Sequence, residues 1–382
     1  MRLPVWFAER LQPTSPEAEL RVSTVELFFD LVFVFTVTQL TTLIVGDFAH
    51  PAVTGGSDGH RFTGQGTVQT LLIFGVLWWM YSGYAWLTNT VPPHRPARRI
   101  LILLGMAGFL IMALAIPSVF DGGGAAFALG YLVIVLVHGA LYLQASAAFT
   151  RVLPFNLAGT ALIFAAAFVD EPGNYVLWTA ALLLLWTSPY FIGQKGFPLH
   201  PAHIVERHGL LVIIVLGESI VAIGIGASGD HPGAKLIVAA LLGLALTAAM
   251  WWVYFGGDEE APERALIGVD VVRRTRLILG AYFYAHVPML LGIVATAAGI
   301  KKAIGHDHLG LGPAVAMAAG VALFLIGDVW FRRVLGLGQG PLRLIAALAA
   351  AASFPLGMWW SAAQLAALVA LLVAVLSLER VL

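Results

Sequence analysis

Residues 24–45 read TVELFFDLVFVFTVTQLTTLIV, a run of 22 residues whose only charges, Glu26 and Asp30, lie in its first two turns. A bilayer's hydrocarbon core is spanned by about 20 predominantly apolar helical residues. This stretch is therefore long and apolar enough to cross a membrane. The rest of the chain repeats that character. Of 382 residues, 59% are hydrophobic and 11% charged, with a mean hydropathy of +0.88. Soluble domains run near ~45–50% apolar and ~25% charged. A water-soluble fold cannot hide this much apolar surface, so the chain reads as an all-α polytopic membrane protein. Long apolar runs, cut at Gly, Pro and charge clusters, give twelve spans: 24–45, 68–90, 99–119, 125–149, 154–169, 175–193, 204–227, 234–256, 274–300, 313–335, 342–360 and 362–379. Twelve spans use about 240 residues, leaving about 11 for each connection or tail. No connection is long enough for a soluble catalytic domain.

Lys+Arg and Asp+Glu both number 21, so net charge gives no reason to expect nucleic acid, and the absence of Cys removes disulfides, thiol chemistry and Cys-ligated metals. No cofactor is implied. Residues 1–23 carry Arg2, Glu9, Arg10, Glu17, Glu19 and Arg21 with no apolar core, and read as a cytoplasmic N-terminal segment, not a cleaved leader. With that segment inside, 17 Lys and Arg fall on inner segments and 4 on outer loops (Arg61, Lys235, Lys301, Lys302). This strong positive-inside bias supports an even number of spans and two cytoplasmic termini.

The landmarks recur in order. Val25-Glu26-Leu27 opens span 1 and Val205-Glu206-Arg207 opens span 7; Trp78-Trp79-Met80-Tyr81-Ser82-Gly83 in span 2 is matched by Trp251-Trp252-Val253-Tyr254-Phe255-Gly256 in span 8. Arg98-Arg99 and Arg273-Arg274 head spans 3 and 9, each followed six residues later by Gly105 or Gly280. The registration is six helices (24–195) plus six helices (196–382). Six being even, both halves insert in one direction, so the repeats are parallel. Such repeats often place a substrate or ion path at their seam, and can equally be scaffolding left by duplication.

Val25-Glu26-Leu27-Phe28-Phe29-Asp30-Leu31-Val32-Phe33-Val34-Phe35 resembles the E-L-F-F-D-L-V-F-V-F segment of the bacterial low temperature requirement protein A (LtrA) family. Glu206-Arg207-His208-Gly209-Leu210, continuing to Leu216-Gly217-Glu218-Ser219, resembles that family's second block, E-R-x-G-L…L-G-E-S, with His208 where an aromatic residue is more usual. The resemblance covers nearly the whole chain and implies a multi-spanning plasma-membrane protein; the family name records a growth phenotype, not an activity. Phe28-Phe29-Asp30 also resembles the F-S-D motif of the lysosomal transmembrane potassium and proton channels, with Phe29 in place of Ser and Leu210 where a second Asp would register.

Charge at membrane depth costs at least ~2.5–3.5 kcal/mol at a helix centre, so each buried charge needs a partner or a wet cavity. Glu26 and Asp30 are four apart on one helix face, continued by Phe33 and Val37. They could bind a cation, share a proton, or pair with the arginines opening spans 3 and 9. Glu218 lies eleven residues past Arg207, on the same stripe about 16 Å away. In the repeat register Glu218 falls opposite Thr38 and Ser219 opposite Gln39, a polar pair at matching depth in each half. Glu26, Asp30, Thr38, Gln39, Glu206, Arg207, Glu218 and Ser219 are therefore candidates for a substrate or ion path. His138, His286 and Asp328 are candidates for a proton relay, with the alternatives that a buried His is only hydrogen-bonded and that Asp328 only neutralises Arg332. His200, His203, Glu206 and His208 cluster at the head of span 7, but H-x-x-H-x-x-E is not the H-E-x-x-H zinc pattern, so no metal is expected. The Trp-Trp pairs read as an interfacial aromatic belt.

The favoured activity is transport of a small solute or cation, as a secondary transporter or channel. The alternatives are a membrane-embedded enzyme acting on lipid or a lipid-linked substrate, and a non-catalytic membrane protein supporting growth in the cold. No catalytic motif argues for an enzyme. The expected partners are the lipid bilayer and a small solute or ion. The Gly- and Ala-rich face Gly105–Ala113 allows close helix packing, including in a homo-oligomer.

Overall fold

A computed structural model describes residues 20–48, 64–143, 150–192, 199–229, 231, 233–257, 259–338 and 340–381; residues 144–149 and 193–198, at the ends of two expected spans, and the N-terminal charges before Leu20 lie outside them. Among the described residues the regular structure is helical, with no strand. The helices are α1 (Thr24–Asp47), α2 (Gln65–Thr90), α3 (Pro96–Ala115), α4 (Gly124–Leu143), α5 (Leu153–Ala166), α6 (Gly173–Ile192), α7 (Pro201–Gly226) and α8 (Ala234–Phe255). A short α9 (Ala261–Ile267) follows. Then α10 (Val271–Ile278) runs through a π-helical turn, Leu279–Tyr284, into α11 (His286–Ala303). The chain ends in α12 (Leu311–Leu335), α13 (Gly340–Ala351), α14 (Phe354–Trp359) and α15 (Ser361–Glu379).

Ten helical stretches among the described residues are long and apolar enough to cross a membrane. The longest, Pro96–Leu143, contains both α3 and α4, and the 14-residue α5 is a further, shorter apolar helix. Local chemistry sets the ends. Pro96 begins α3, where its missing N–H is no loss. Gly336, at φ 72°, closes α12 in the left-handed conformation that favours glycine. Asp270 Oδ1 accepts the Val272 and Arg273 amides at 3.0 Å each, and these bonds to the start of α10 hold its carboxyl below the usual range. Trp360 is extended and Ser361 restarts the helix, which places the last boundary where the sequence predicts it.

The described residues group into two compact units, interleaved along the chain: those within 1–39, 70–210 and 270–275, and those within 40–69, 211–269 and 276–382. In the first, α3 packs on α4 and α5 on α6. A Cβ on Gly108 would meet Gly130 O at 2.9 Å, and one on Gly130 would meet Gly108 O at 2.7 Å and Met112 N at 3.1 Å. In the second unit α11 packs on α12. A Cβ on Gly292 would meet Gly320 O at 2.5 Å, and one on Gly320 would meet Gly292 O at 2.7 Å and Thr296 N at 2.6 Å. Each pair of backbones thus approaches more closely than any side chain permits, which brings dispersion contact without requiring a hydrophobic drive that lipid cannot supply.

The outward faces are apolar: Phe28 and Leu31 on α1, Leu103, Leu110 and Leu114 on α3, and Ile237, Leu241 and Leu244 on α8 are exposed. On α1 the face Glu26, Asp30, Phe33, Val37 and Leu40 is buried instead. A helix polar inside and apolar outside fits lipid as solvent.

These contacts separate two kinds of glycine. Gly292→Ala must push two backbones apart and is expected to cost about 1–3 kcal/mol as overpacking. Gly224 has nothing within 4 Å of a Cβ among the described residues. Gly224→Ala is expected to be neutral or to stabilise, by up to about 1 kcal/mol through helix propensity. Thermal unfolding of the two purified variants in one detergent checks this; equal losses would refute the close-packing account.

Candidate functional site

In the first unit, the start of α1 carries one half of a capping box, the Glu26 side chain reaching back to Ser23. Ser23 N and Ser23 Oγ donate to Glu26 Oε2 at 2.8 and 2.7 Å, while Glu26 N and Leu27 N donate to Ser23 O. One carboxylate oxygen of Glu26 is spent on its own helix end, and the other faces inward. Glu26 Oε1 accepts Arg207 Nη1 and His203 Nε2, each at 2.9 Å. One turn on, Asp30 Oδ1 accepts Arg207 Nη2 at 2.8 Å and the Tyr81 hydroxyl at 3.0 Å. Arg207 therefore forks across both carboxylates. The i,i+4 spacing on α1 fits a planar guanidinium with two donor ends. The same spacing on α7 places His203 and Arg207 on one face.

The cluster is dry by residue burial: Glu26 is 2% exposed, Asp30 0% and Arg207 1%. Aromatic rings wall it. The guanidinium carbon lies 5.6 Å from the Tyr81 ring centroid and 5.9 Å from that of Phe29, within cation–π range. Phe33 lies 4.4 Å from Tyr81, and Phe29 packs on Tyr84 and Phe109 at 4.9 and 5.0 Å.

Asn89, near the end of α2, fixes the histidine. The His200 amide donates to Asn89 Oδ1 at 2.8 Å, which identifies that atom as the oxygen. Asn89 Nδ2 then donates to His200 O at 2.9 Å and lies 3.2 Å from His203 Nδ1. His203 Nδ1 must therefore accept, and the single ring proton sits on Nε2, pointing at Glu26. His200, before α7, has its imidazole pushed below the usual range by burial, with His203 and Arg274 adding to it.

Glu206 stands apart from this core; its Oε2 accepts the Val22 amide at 3.0 Å. Thr38, half-buried in the first unit, donates to Val34 O, and Gln39 is half-buried beside it. Glu218 and Ser219 are buried in the second unit. The expected arginine partners are corrected in part. Arg98 and Arg99 donate to Pro92 O and Pro93 O, and Arg207 takes the carboxylates. The belt expectation also fails for one tryptophan. Trp78 is fully buried, stacked on Tyr81 and Phe74, whereas Trp251 and Trp252 are 41% and 45% exposed. Trp78 is drawn inward because it packs on the tyrosine that binds Asp30.

The relay candidates have separate partners. His138 Nε2 bonds to Gly83 O at 2.9 Å and its ring packs on Tyr84. In the second unit, His286 Nδ1 donates to Ala281 O in the π-helical turn at 2.9 Å, so Nε2 accepts from the Tyr254 hydroxyl at 3.1 Å. Asp328 pairs with Arg332 and Arg343. Arg343 also forks to Glu379 at 2.7 Å on both oxygens, and both arginines donate to Val253 O. Sequence reasoning found Asp328 and Arg332 but not Arg343 and Glu379, which come from distant helices at no diagnostic spacing.

Removing the shared guanidinium strands two buried carboxylates. Arg207→Met is expected to lower stability by about 3–5 kcal/mol, read as lost accumulation in membranes and a depressed Tm. Arg207→Lys is expected to recover only part, because a single ammonium cannot fork across Glu26 and Asp30. Full recovery by Lys would show that the fork is unnecessary.

The profile of the bacterial low temperature requirement A protein (LtrA) matches residues 21–378. An uncharacterized protein of Rhizobium meliloti is 28% identical over 337 residues, covering 83% of this chain and 78% of that one. The span of the first match takes in every residue of the Glu26–Asp30–His203–Arg207 cluster. This chain belongs to the bacterial LtrA family.

Proposed function

We propose that this LtrA family member moves a small solute or cation across the bilayer, as a secondary transporter or channel. The observation that carries the reading is the Glu26–Asp30–Arg207 fork, three ionisable groups buried on helices long and apolar enough to span a membrane. Ionisable groups buried within membrane-spanning segments commonly mark ion pathways and proton relays. By sequence register, Thr38–Gln39 in the first unit and Glu218–Ser219 in the second are matching polar pairs that this reading takes as further path residues.

The topology that goes with this reading has twelve crossings in two parallel six-helix repeats, 24–195 and 196–382. Counting α3 and α4 separately and adding the short α5 supports twelve. The glycine contacts support the repeat. Gly130 and Gly320, equivalent in the register, each rest against a glycine and the residue four further on, Gly108 and Met112 or Gly292 and Thr296. The 17-to-4 distribution of basic residues supports cytoplasmic termini in the plasma membrane.

The test is charge movement by reconstituted protein on a solid-supported membrane under imposed K⁺, Na⁺ and H⁺ gradients, with uptake of labelled solutes for electroneutral exchange. The expected result is flux under at least one gradient, lost in Glu218→Gln at normal expression and Tm. Folded protein that is silent in both assays would overturn the reading. A Glu218→Gln variant that fails to fold would assign that carboxyl to structure.

A further inference from the structure

Counting charge in the first unit's cluster leaves it unbalanced. Two carboxylates, Glu26 and Asp30, face one guanidinium, and His203 meets Glu26 through Nε2 with its Nδ1 turned to the Asn89 amide. The other titratable neighbours are Tyr81 and Tyr84 of α2, hydroxyl donors to Asp30 and to Ile134 O; His200, held by its backbone to Asn89, whose imidazole burial pushes below the usual range with His203 and Arg274 of α10 adding to it; and His208 of α7, whose ring meets Trp78 and bonds to Ile204 O. His138 of α4 meets the edge of this shell through Tyr84 and is bonded to Gly83 O. No group on α1, α2, α3, α4 or α7 in contact with these rings supplies a second positive charge among the described residues. With both acids ionised the cluster carries a net charge of −1 in a dry aromatic shell, which desolvation strongly disfavours.

The hydrogen bonds say where the imbalance lies. Glu26 is satisfied on both oxygens, by Ser23 on one side and by Arg207 and His203 on the other. Asp30 is satisfied on Oδ1 alone. Its Oδ2 is buried without a hydrogen-bond partner among the described residues, and so is Arg207 Nε. An ionised aspartate beside an arginine favours a two-point contact with parallel N–H groups. Here the contact is single, through Nη2, and the atoms that would complete the fork on both partners are unused. A hard metal cation takes a shell of about six oxygens. The faces of Phe29 and Phe33 supply none, and Arg207 repels it.

We propose that the ion handled at this site is a proton, bound on Asp30 Oδ2. Uptake forms an O–H bond at Oδ2 with a proton from water, leaving Asp30 neutral and joined to Arg207 at one point. Release returns the proton to water and leaves the electron pair on the carboxylate, which closes a two-point fork onto Arg207 Nε and Nη2. The cluster thus has two arrangements that differ by one charge. Its role as a coupling or conducted ion rests on the transport reading, whereas the protonation itself does not.

Infrared spectra of the full-length protein in lipid at neutral pH, in H₂O and D₂O, test this. The wild type is expected to show a protonated-carboxyl C=O stretch that disappears in Asp30→Asn and persists in Glu26→Gln. Asn places a neutral N–H where the protonated acid has its O–H, so the variant keeps the observed contacts. If it does not fold, Asp30→Glu serves instead and must shift the band. A band unchanged in folded Asp30 variants overturns the proposal. H⁺-driven charge movement, measured in parallel, is expected to vanish in Asp30→Asn. Wild-type currents that survive unaltered in that variant overturn the coupling role while leaving transport standing. A band that depends on Asp30, with no flux under any gradient, upholds the proton site and fails the transport reading.

Discussion

The first unit depends on a single guanidinium. Arg207 reaches from α7 to two carboxylates one turn apart on α1, and each surrounding element is placed by that reach. Glu26 offers one oxygen to Arg207 while its other oxygen accepts the Ser23 amide and hydroxyl at the start of α1. Tyr81 donates to the oxygen of Asp30 that also takes Nη2, which brings α2 to the same point. Asn89 holds the loop before α7 and the tautomer of His203 together. Breaking such a buried pair costs more than forming it returns. The arrangement is therefore better understood as a constraint on which helices meet than as a source of net stability.

Much of this was legible in the sequence, for physical reasons that differ by residue. The helices were readable because hydropathy over a span and breakers at its ends are local properties; α1, α7, α8 and α12 fall within a few residues of their expected bounds. The buried face of α1 followed from spacing alone, since Glu26, Asp30, Phe33 and Val37 share it in any helix. The partner of those carboxylates was not readable. Arg98, Arg99, Arg207, Arg273 and Arg274 were all plausible by charge, and only the packing of α7 selects Arg207. Ser23-x-x-Glu26 carries a capping-box signature that is easily passed over when Glu26 is weighed only against Asp30. Asn89 and Glu379 have no sequence signal, because their importance lies wholly in what the fold brings beside them. Trp78 illustrates a limit of composition: the first tryptophan of the pair is buried in α2 and Trp79 only half-buried, whereas both of the α8 pair are exposed.

The two units also bury charge in different ways, and the contrast bears on function. In the second unit Asp328 and Glu379 face Arg332 and Arg343, two negative charges against two positive. Arg343 uses all three guanidinium nitrogens, and the backbone carbonyl of Val253 accepts from both arginines. That cluster is balanced and ties α8, α12, α13 and α15 together; nothing in its charge count calls for an added ion. In the first unit the count is two against one, with one Asp30 oxygen and one Arg207 N–H unused among the described residues. A balanced network serves as a fixed joint, and a proton entering it would have to displace an ion pair. An unbalanced one can gain or lose a single charge without dismantling the fork that holds its helices. That asymmetry gives Asp30, and not the better-paired Asp328, the chemistry expected of a residue that exchanges an ion with water.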